Sequence, residues 1–203
     1  MRLFSIAAVT SVNLFIGLHY VWSIRKGRIS PALAMWVFFT IAVIRSLVTY
    51  LAEGGFGFLD NILNTADLAL CGGVAIAIAV WGDRSTRFTR FDLGCLGAVL
   101  VILVLWALTR QHTAAHSAIQ LILVIAYFTV VKRLWRSDRN TESFVMWVGL
   151  MLAPVFSLLS SKGTLATVYA VRAIVCTGAL MLLMLRVEWR TRRTRRNQLT
   201  KEA

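Results

Sequence analysis

Acidic residues are scarce in this chain: nine Asp and Glu stand against 22 Lys and Arg, a formal net charge of +13. So few carboxylates leave little material for paired catalytic acids or an oxygen-ligand metal cage. There is no HExxH pattern and no nucleophile–base pair, so the reading is of a non-enzyme without cofactor or metal. His112 and His116 are four apart, but two histidines lacking a third ligand make a poor metal site, and interfacial histidines are the better reading. The three cysteines, Cys71, Cys95 and Cys176, sit in apolar stretches with no CxxC spacing. They read as small core residues, not as a disulfide framework. Only two prolines occur, Pro31 and Pro154. Alternating ten-residue segments are absent, which excludes a membrane β-barrel.

What the chain does have is apolar surface. Of its 203 residues 58% are hydrophobic, and the mean hydropathy is +0.72. A membrane span needs about 20 such residues. Seven stretches qualify as candidates, at 3–24, 31–52, 58–81, 93–109, 113–131, 143–161 and 164–186. Backbone polar groups must be satisfied internally in lipid, so all seven are expected to be helices. The first begins Met1-Arg2 and could pass for a signal peptide. It lacks a small-x-small cleavage site and is read as an uncleaved span. The expected organisation is one membrane domain over 1–186 and a basic cytoplasmic tail over 187–203. Span 7 has no lysine for a retinal Schiff base, so seven spans do not imply a rhodopsin.

The basic residues are unevenly placed. Arg25, Lys26 and Arg28 follow span 1; Arg84, Arg87 and Arg90 follow span 3; Lys132, Arg133, Arg136 and Arg139 follow span 5. The end of span 7 and the tail carry Arg186, Arg190, Arg192, Arg193, Arg195, Arg196 and Lys201. The opposite side has Arg2, Arg110 and Lys162, with Glu53 and Asp60 in its longest loop. The positive-inside rule puts the N-terminus outside and the C-terminus in the cytoplasm, as an odd span count requires. The setting expected is a bacterial inner membrane or plasma membrane. A basic cluster immediately cytoplasmic of a span is the pattern of an anionic-lipid anchor. Apart from Trp189 it lacks the aromatic platforms of a single-strand nucleic-acid binder.

Residues 35–47, MWVFFTIAVIRSL, and 146–158, MWVGLMLAPVFSL, share six identities at an offset of 111. They are Met35/Met146, Trp36/Trp147, Val37/Val148, Ala42/Ala153, Ser46/Ser157 and Leu47/Leu158. Composition alone predicts about one or two. Spans 2 and 6 lie four spans apart and therefore run in the same direction. This predicts a parallel repeat, with repeat 1 over about 1–82 and repeat 2 over about 112–186. Three spans reverse the chain, so a linker helix at about 92–110 must restore its direction. The uncharged stretch LGCLGAVLVILVLWAL fits that part. The fold class expected is an all-α membrane protein of seven transmembrane helices, arranged as two parallel three-helix bundles joined by a linker helix.

That plan resembles the SWEET and PQ-loop (MtN3-like) transporters. The local text is similar as well. Arg25 to Trp36 reads RKGRISPALAMW, a basic linker, a Ser, then Met-Trp, and Lys132 to Trp147 reads KRLWRSDRNTESFVMW. Tyr50, Asp60 and Asn64 resemble that family's outer-gate tyrosine, outer-gate aspartate and span-3 substrate asparagine. The resemblance implies a carrier working by alternating access. The Pro-Gln pair is absent from both units, spans 1 and 5 have no proline, and the second unit has Arg172 near the position of the expected asparagine.

Polar residues inside the spans are costly, about 2.5–3.5 kcal/mol for a charge at the centre. At 1.5 Å per residue, Arg45 lies roughly 10 Å below the outer end of span 2 and Arg172 roughly 12 Å down span 7. Asn64 and Asp67 lie about 9 and 14 Å into span 3, Gln120 about 10 Å into span 5 and Asn13 about 15 Å into span 1. Six polar groups from five spans share one depth and should face inward. Arg45 could pair with Asp67 on the neighbouring helix. The in-membrane partner of Arg172 would have to be Asp67, or Asp60 nearer the surface; against that structural pairing, an unpaired arginine in a cavity suits a carboxylate or phosphate ligand. Tyr50 and Tyr169, and Trp36 and Trp147, fit interfacial aromatic belts. Gly72 and Gly73 fit a close helix approach. Two functions follow. One is a carrier of a small polar or anionic metabolite with binding residues Asn64, Arg172, Arg45, Asp67, Asn13 and Gln120 and gate residues Tyr50 and Asp60. The other is a non-transporting membrane sensor or anchor subunit of a membrane complex. A homo-oligomer is compatible with both.

Overall fold

A computed structural model describes residues 1–29, 31, 33–82, 90–109, 112–136 and 142–202. Arg84, Arg87, Arg110 and Arg139 lie outside these residues. So do the side chains of Cys95, His112, His116, Lys132, Arg133, Arg136 and the tail from Arg192 onward. Among the described residues the chain is entirely helical: α1 (Arg2–Arg25), α2 (Leu33–Ala52), α3 (Ile62–Trp81), α4 (Arg90–Thr109), α5 (His112–Arg136), α6 (Phe144–Ser157) and α7 (Gly163–Glu202). A 3-10 turn over Phe58–Asn61 leads into α3. Four stretches, Arg2–Arg25, Met35–Ala52, Phe58–Trp81 and Gly163–Thr191, are long and apolar enough to cross a membrane.

α6 is shorter than the expected span 143–161. It starts where Ser143 accepts a hydrogen bond from the Met146 amide, and it ends soon after Pro154. Past that proline the chain tightens, with the Ser157 and Ser161 hydroxyls and the Ser160 and Ser161 amides satisfying carbonyls at 154 and 157. α7 does the opposite: the expected boundary at 186/187 is no break, and the helix continues into the tail.

The third helix of each triplet packs against the other two. α3 lies against α1 and α2, and α7 lies against α5 and α6. Across the triplets α1 packs on α6, α2 packs on α5, and α3 also touches α6 and α7. α4 rests on α5 and reaches α2. α2 and α6 start in the same register, Leu33 and Phe144 being separated by the repeat offset of 111. Of the six identical pairs, Met35/Met146, Trp36/Trp147, Ala42/Ala153 and Ser46/Ser157 are buried at both copies.

The closest helix approach is not at Gly72 and Gly73. Nothing comes within 4 Å of a Cβ at Gly73, and at Gly72 only the Thr40 Cγ2 does, at 3.9 Å. The tight contact is between α1 and α6, where a Cβ on Gly149 would overlap Ile16 Cγ2. A second, between α1 and α3, sets Gly17 3.0 Å from Leu70 Cδ1 by the same measure.

The belt reading of the tryptophans is also corrected. Trp36 is 2% exposed and Trp147 1%, both inside the bundle. They belong to one chain of aromatic contacts: Trp36 packs on Tyr20 at 5.4 Å and Phe39 at 6.2 Å, Phe39 on Tyr127 at 5.6 Å, and Tyr127 on Trp147 at 6.0 Å. Rings from α1, α2, α5 and α6 thereby meet in one layer. The two indoles differ in one respect. Trp147 Nε1 donates to Glu142 Oε2 at 3.3 Å, whereas Trp36 Nε1 makes no hydrogen bond among the described residues. At the 111 offset the position of Glu142 is occupied by Pro31, which offers no carboxylate. An unmade buried hydrogen bond costs about 1–3 kcal/mol. Trp36→Phe therefore removes a penalty while opening a small void, and should shift stability by less than about 1 kcal/mol. Trp147→Phe strips a donor from buried Glu142 and should cost at least about 1 kcal/mol more. Unfolding midpoints in one detergent compare the two, and an equal loss would refute the asymmetry.

Candidate functional site

Five helices contribute to a buried polar circuit at one depth. It begins on α1, where Asn13 Nδ2 reaches Asp67 Oδ1 of α3 at 3.5 Å. The other carboxylate oxygen of Asp67 accepts from the Tyr169 hydroxyl of α7 at 2.9 Å. One turn along α7, the Arg172 guanidinium stacks over the Tyr169 ring, 4.7 Å from its centroid. Arg172 Nε donates to Gln120 Oε1 of α5 at 2.7 Å, and Gln120 Nε2 donates to the Ser46 hydroxyl of α2 at 3.0 Å. Ser46 in turn meets the Asn64 carboxamide of α3 at 2.9 Å. With that carboxamide oriented so that both its ends have partners, Oδ1 accepts from Ser46 Oγ and from the Leu47 amide at 3.1 Å. Its Nδ2 then donates to the Val43 carbonyl at 3.1 Å. Asn64 thus clasps one turn of α2 backbone and is fully buried in doing so.

Of the residues expected from the sequence, Asn13, Asp67, Arg172, Gln120 and Asn64 are brought together. Asp67 takes its hydrogen bonds from Asn13 and Tyr169, partners other than the Arg45 that span depth had paired with it. Arg45 precedes Ser46 on α2, partly buried, with its carbonyl accepting from Thr49 Oγ1 at 3.0 Å. Arg172 is anchored through one nitrogen only. Nε is bonded to Gln120 and one ring face is stacked, while the two terminal NH2 groups make no hydrogen bond among the described residues. A guanidinium held by Nε and presenting its NH2 edge has the geometry that receives a carboxylate or phosphate through two bonds.

Ser46 and Tyr169 were missed as members of the circuit. Ser46 is one of the letters repeated at offset 111, yet a mid-span serine ordinarily bonds its own helix. Tyr169 reads as a belt residue by its position, but it is 1% exposed and its hydroxyl points at Asp67.

Above the circuit, the end of the bundle that carries Arg2 and Lys162 is closed in two layers. The inner layer is apolar: Tyr50, Leu47, Leu165 and Ala166 pack together with Phe56, whose ring stacks on Tyr50 at 5.0 Å. Tyr50 is fully buried and its hydroxyl donates to the Lys162 carbonyl at 3.0 Å, so it too is no belt residue. Gly163 carries φ +80 and a Cβ there would fall 2.9 Å from the Phe56 ring, so glycine is required on both counts. The outer layer is ionic. Asp60 Oδ1 contacts Arg2 at 2.8 Å and Lys162 Nζ at 2.9 Å, Oδ2 accepts from the Gly57 amide at 2.9 Å, and the Asp60 carbonyl accepts from the Lys162 amide at 3.1 Å. Tyr50 and Asp60, the two expected gate residues, thus converge on Lys162.

The Arg2 and Lys162 side chains are half-exposed. Exposed pairs are worth about 0–1 kcal/mol each, so this latch is cheap to open. Asp60→Asn, which keeps the shape and removes the charge, is expected to raise external labelling of a cysteine placed at Ala166 by up to about fivefold. The labelling rate in a background lacking Cys71, Cys95 and Cys176 checks it; an unchanged rate would mean that the apolar layer alone closes this end.

Compared with protein-family models, curated proteins and solved structures, the chain has no significant match.

Proposed function

We infer that the chain is a membrane carrier for a small anionic metabolite, built as seven spans in two parallel three-helix bundles with α4 as linker. The observation that carries this reading is Arg172, held through Nε by Gln120 and stacked on Tyr169, with no hydrogen bond to its terminal NH2 groups among the described residues. A purely structural arginine would be expected to use its NH2 groups on protein acceptors. The packing supports the bundle plan. Exchanging the triplets maps the α1–α6 contact onto α5–α2 and leaves α3–α7 in place. The buried identities of α2 and α6 agree with such an exchange.

In this reading the structure corresponds to an outward-closed state. Arg172 binds the anion; Asp67, Asn13 and Gln120 shape the space around it; Asn64 ties α2 to α3 within the first bundle; and Tyr50 and Asp60 form the outer gate. Arg45, near the same depth, adds positive potential. The resemblance to SWEET and PQ-loop transporters favours alternating access as the mechanism. The test is solute uptake by proteoliposomes holding the purified chain, across neutral sugars, amino acids, monocarboxylates and phosphate esters. Saturable uptake of an anion, with sugars excluded, is expected; no uptake of any class by folded protein would overturn the carrier.

A second reading rests on a different observation. Asn64 and Asp67 have their polar atoms engaged by helix partners, as in a static network. That favours a non-transporting membrane sensor or anchor subunit, and recovery of the chain only within a stable hetero-complex would support it.

A further inference from the structure

A groove of about 530 Å³ runs between α5 and α7, beginning about one turn beyond Arg172. Val124, Tyr127 and Val131 form one wall, and Val175, Ala179 and Leu182 form the other. Val175 is 63% exposed and Leu182 70%, so this face of α7 is turned out of the bundle. Arg186 and Trp135 close one end, the guanidinium lying 4.3 Å over the indole. The lining has one formal charge, and it sits at that end.

The dimensions match one lipid leaflet. From Val124 to Trp135 and from Val175 to Arg186 is eleven residues each way, or roughly 16 Å of helix. Half of a hydrocarbon core is about 15 Å. An apolar trough of leaflet depth ending in an arginine and a tryptophan has the polarity of one phospholipid: acyl chain below, phosphate at the interface. Beyond that end the sequence adds Lys132, Arg133 and Arg136 on α5 and Arg190 and Arg192 on α7, with Glu188 among them.

We propose that the α5–α7 groove is a binding site for an anionic phospholipid, one acyl chain lying between Val124 and Leu182 and the phosphate held by Arg186 beside Trp135. The proposal rests on the seven-span topology, which makes this end the cytoplasmic interface. It does not depend on transport. The indole does two jobs: it orients the guanidinium by cation–π contact and lies at the depth where tryptophans anchor in the interface. Anionic lipids would be preferred over zwitterionic ones because the groove lining contains Arg186 and no carboxylate.

Cys176 lines the same groove and is partly exposed, which gives the test a reporter. The chain, with Cys71 and Cys95 replaced by alanine, is placed in nanodiscs of phosphatidylcholine alone or with phosphatidylglycerol. Alkylation of Cys176 by an apolar maleimide is timed in each. Anionic lipid should slow labelling by about fivefold, the worth of one interfacial cation. Arg186→Gln should abolish the difference between the two discs while leaving the labelling in phosphatidylcholine unchanged. Val175→Trp, which fills the trough, should slow labelling in both discs and remove the lipid dependence. Equal labelling rates for the unsubstituted groove would overturn the proposal, as would slowing by a second copy of the chain, detected as a Cys176–Cys176 crosslink. Loss of the lipid effect with solute uptake intact refutes the groove alone; loss of uptake with the lipid effect intact refutes the carrier alone.

Discussion

Arg172→Leu is expected to lower anion uptake at least about a hundredfold, because it removes two charge-assisted hydrogen bonds worth about 1.5–3 kcal/mol each. The loss should appear chiefly in the rate at limiting solute. The substitution also deprives Gln120 Oε1 of its donor at 2.7 Å, so folding must be checked separately by melting in detergent. Arg172→Lys separates the two effects. An ammonium keeps the charge but cannot bond Gln120 through Nε and still present two parallel donors, so it should restore part of the uptake. Gln120→Ala, which releases the guanidinium without discharging it, should weaken uptake by about tenfold or less. Initial-rate uptake at matched amounts of folded protein measures all three. Uptake unaffected by Arg172→Leu would eliminate Arg172 as the anion ligand.

Gly149→Ala is expected to be the most damaging single-methyl addition in the bundle. The new Cβ would meet Ile16 Cγ2 inside its van der Waals radius, with Ile16 Cδ1 at 3.0 Å and Cβ at 3.3 Å behind it. Ile16 is 1% exposed and has no space to retreat into, so α1 must move off α6. Overpacking of this kind costs about 1–3 kcal/mol. Ile16→Ala removes the opposing Cγ2 and Cδ1, so the double substitution should recover at least about 1 kcal/mol relative to additivity. Gly73→Ala is the control: with nothing within 4 Å, it should be neutral or stabilising by up to about 1 kcal/mol through helix propensity. Thermal unfolding in micelles ranks the variants, and equal tolerance at 149 and 73 would refute the α1–α6 contact.

How much of this was legible in the sequence depends on the coordinate asked for. Depth was legible. Counting residues from span ends put Asn13, Asn64, Asp67, Gln120 and Arg172 on one level, and the structure joins them there. Azimuth was not. In a chain with apolar residues on every side of its helices, periodicity barely separates the inward face from the outward one. Asp67 was therefore matched with Arg45, whereas the partners it meets are Asn13 and Tyr169. The same ambiguity let Tyr50 read as belt or gate, and Tyr169, Trp36 and Trp147 as belt residues, since position near a span end does not fix the direction of a ring; all four are buried. Glycine placement failed for a related reason. Gly72-Gly73 is conspicuous as a pair, but a contact is defined by what lies opposite, and Ile16 is 133 residues from Gly149. The helix positions followed from hydropathy, apart from α6, where Pro154 and the serines after it end the helix early, and α7, which runs on past the expected boundary at 186.

α7 has a mechanical consequence. Its 40 residues make a rod of roughly 60 Å, about twice the thickness of a hydrocarbon core. Arg172 and Tyr169 sit near one end of that rod, and in the expected topology, with the membrane ending near Arg186, the other end would stand free by roughly 25 Å. An unbroken helix does not absorb a tilt in its middle. A rotation of about 10° at the level of Arg172, pivoting at the inner membrane surface, would sweep the far tip by about 4 Å. Under the carrier reading the tail is a pointer geared to Arg172, and a fluorophore there is expected to register ligand arrival from outside the membrane.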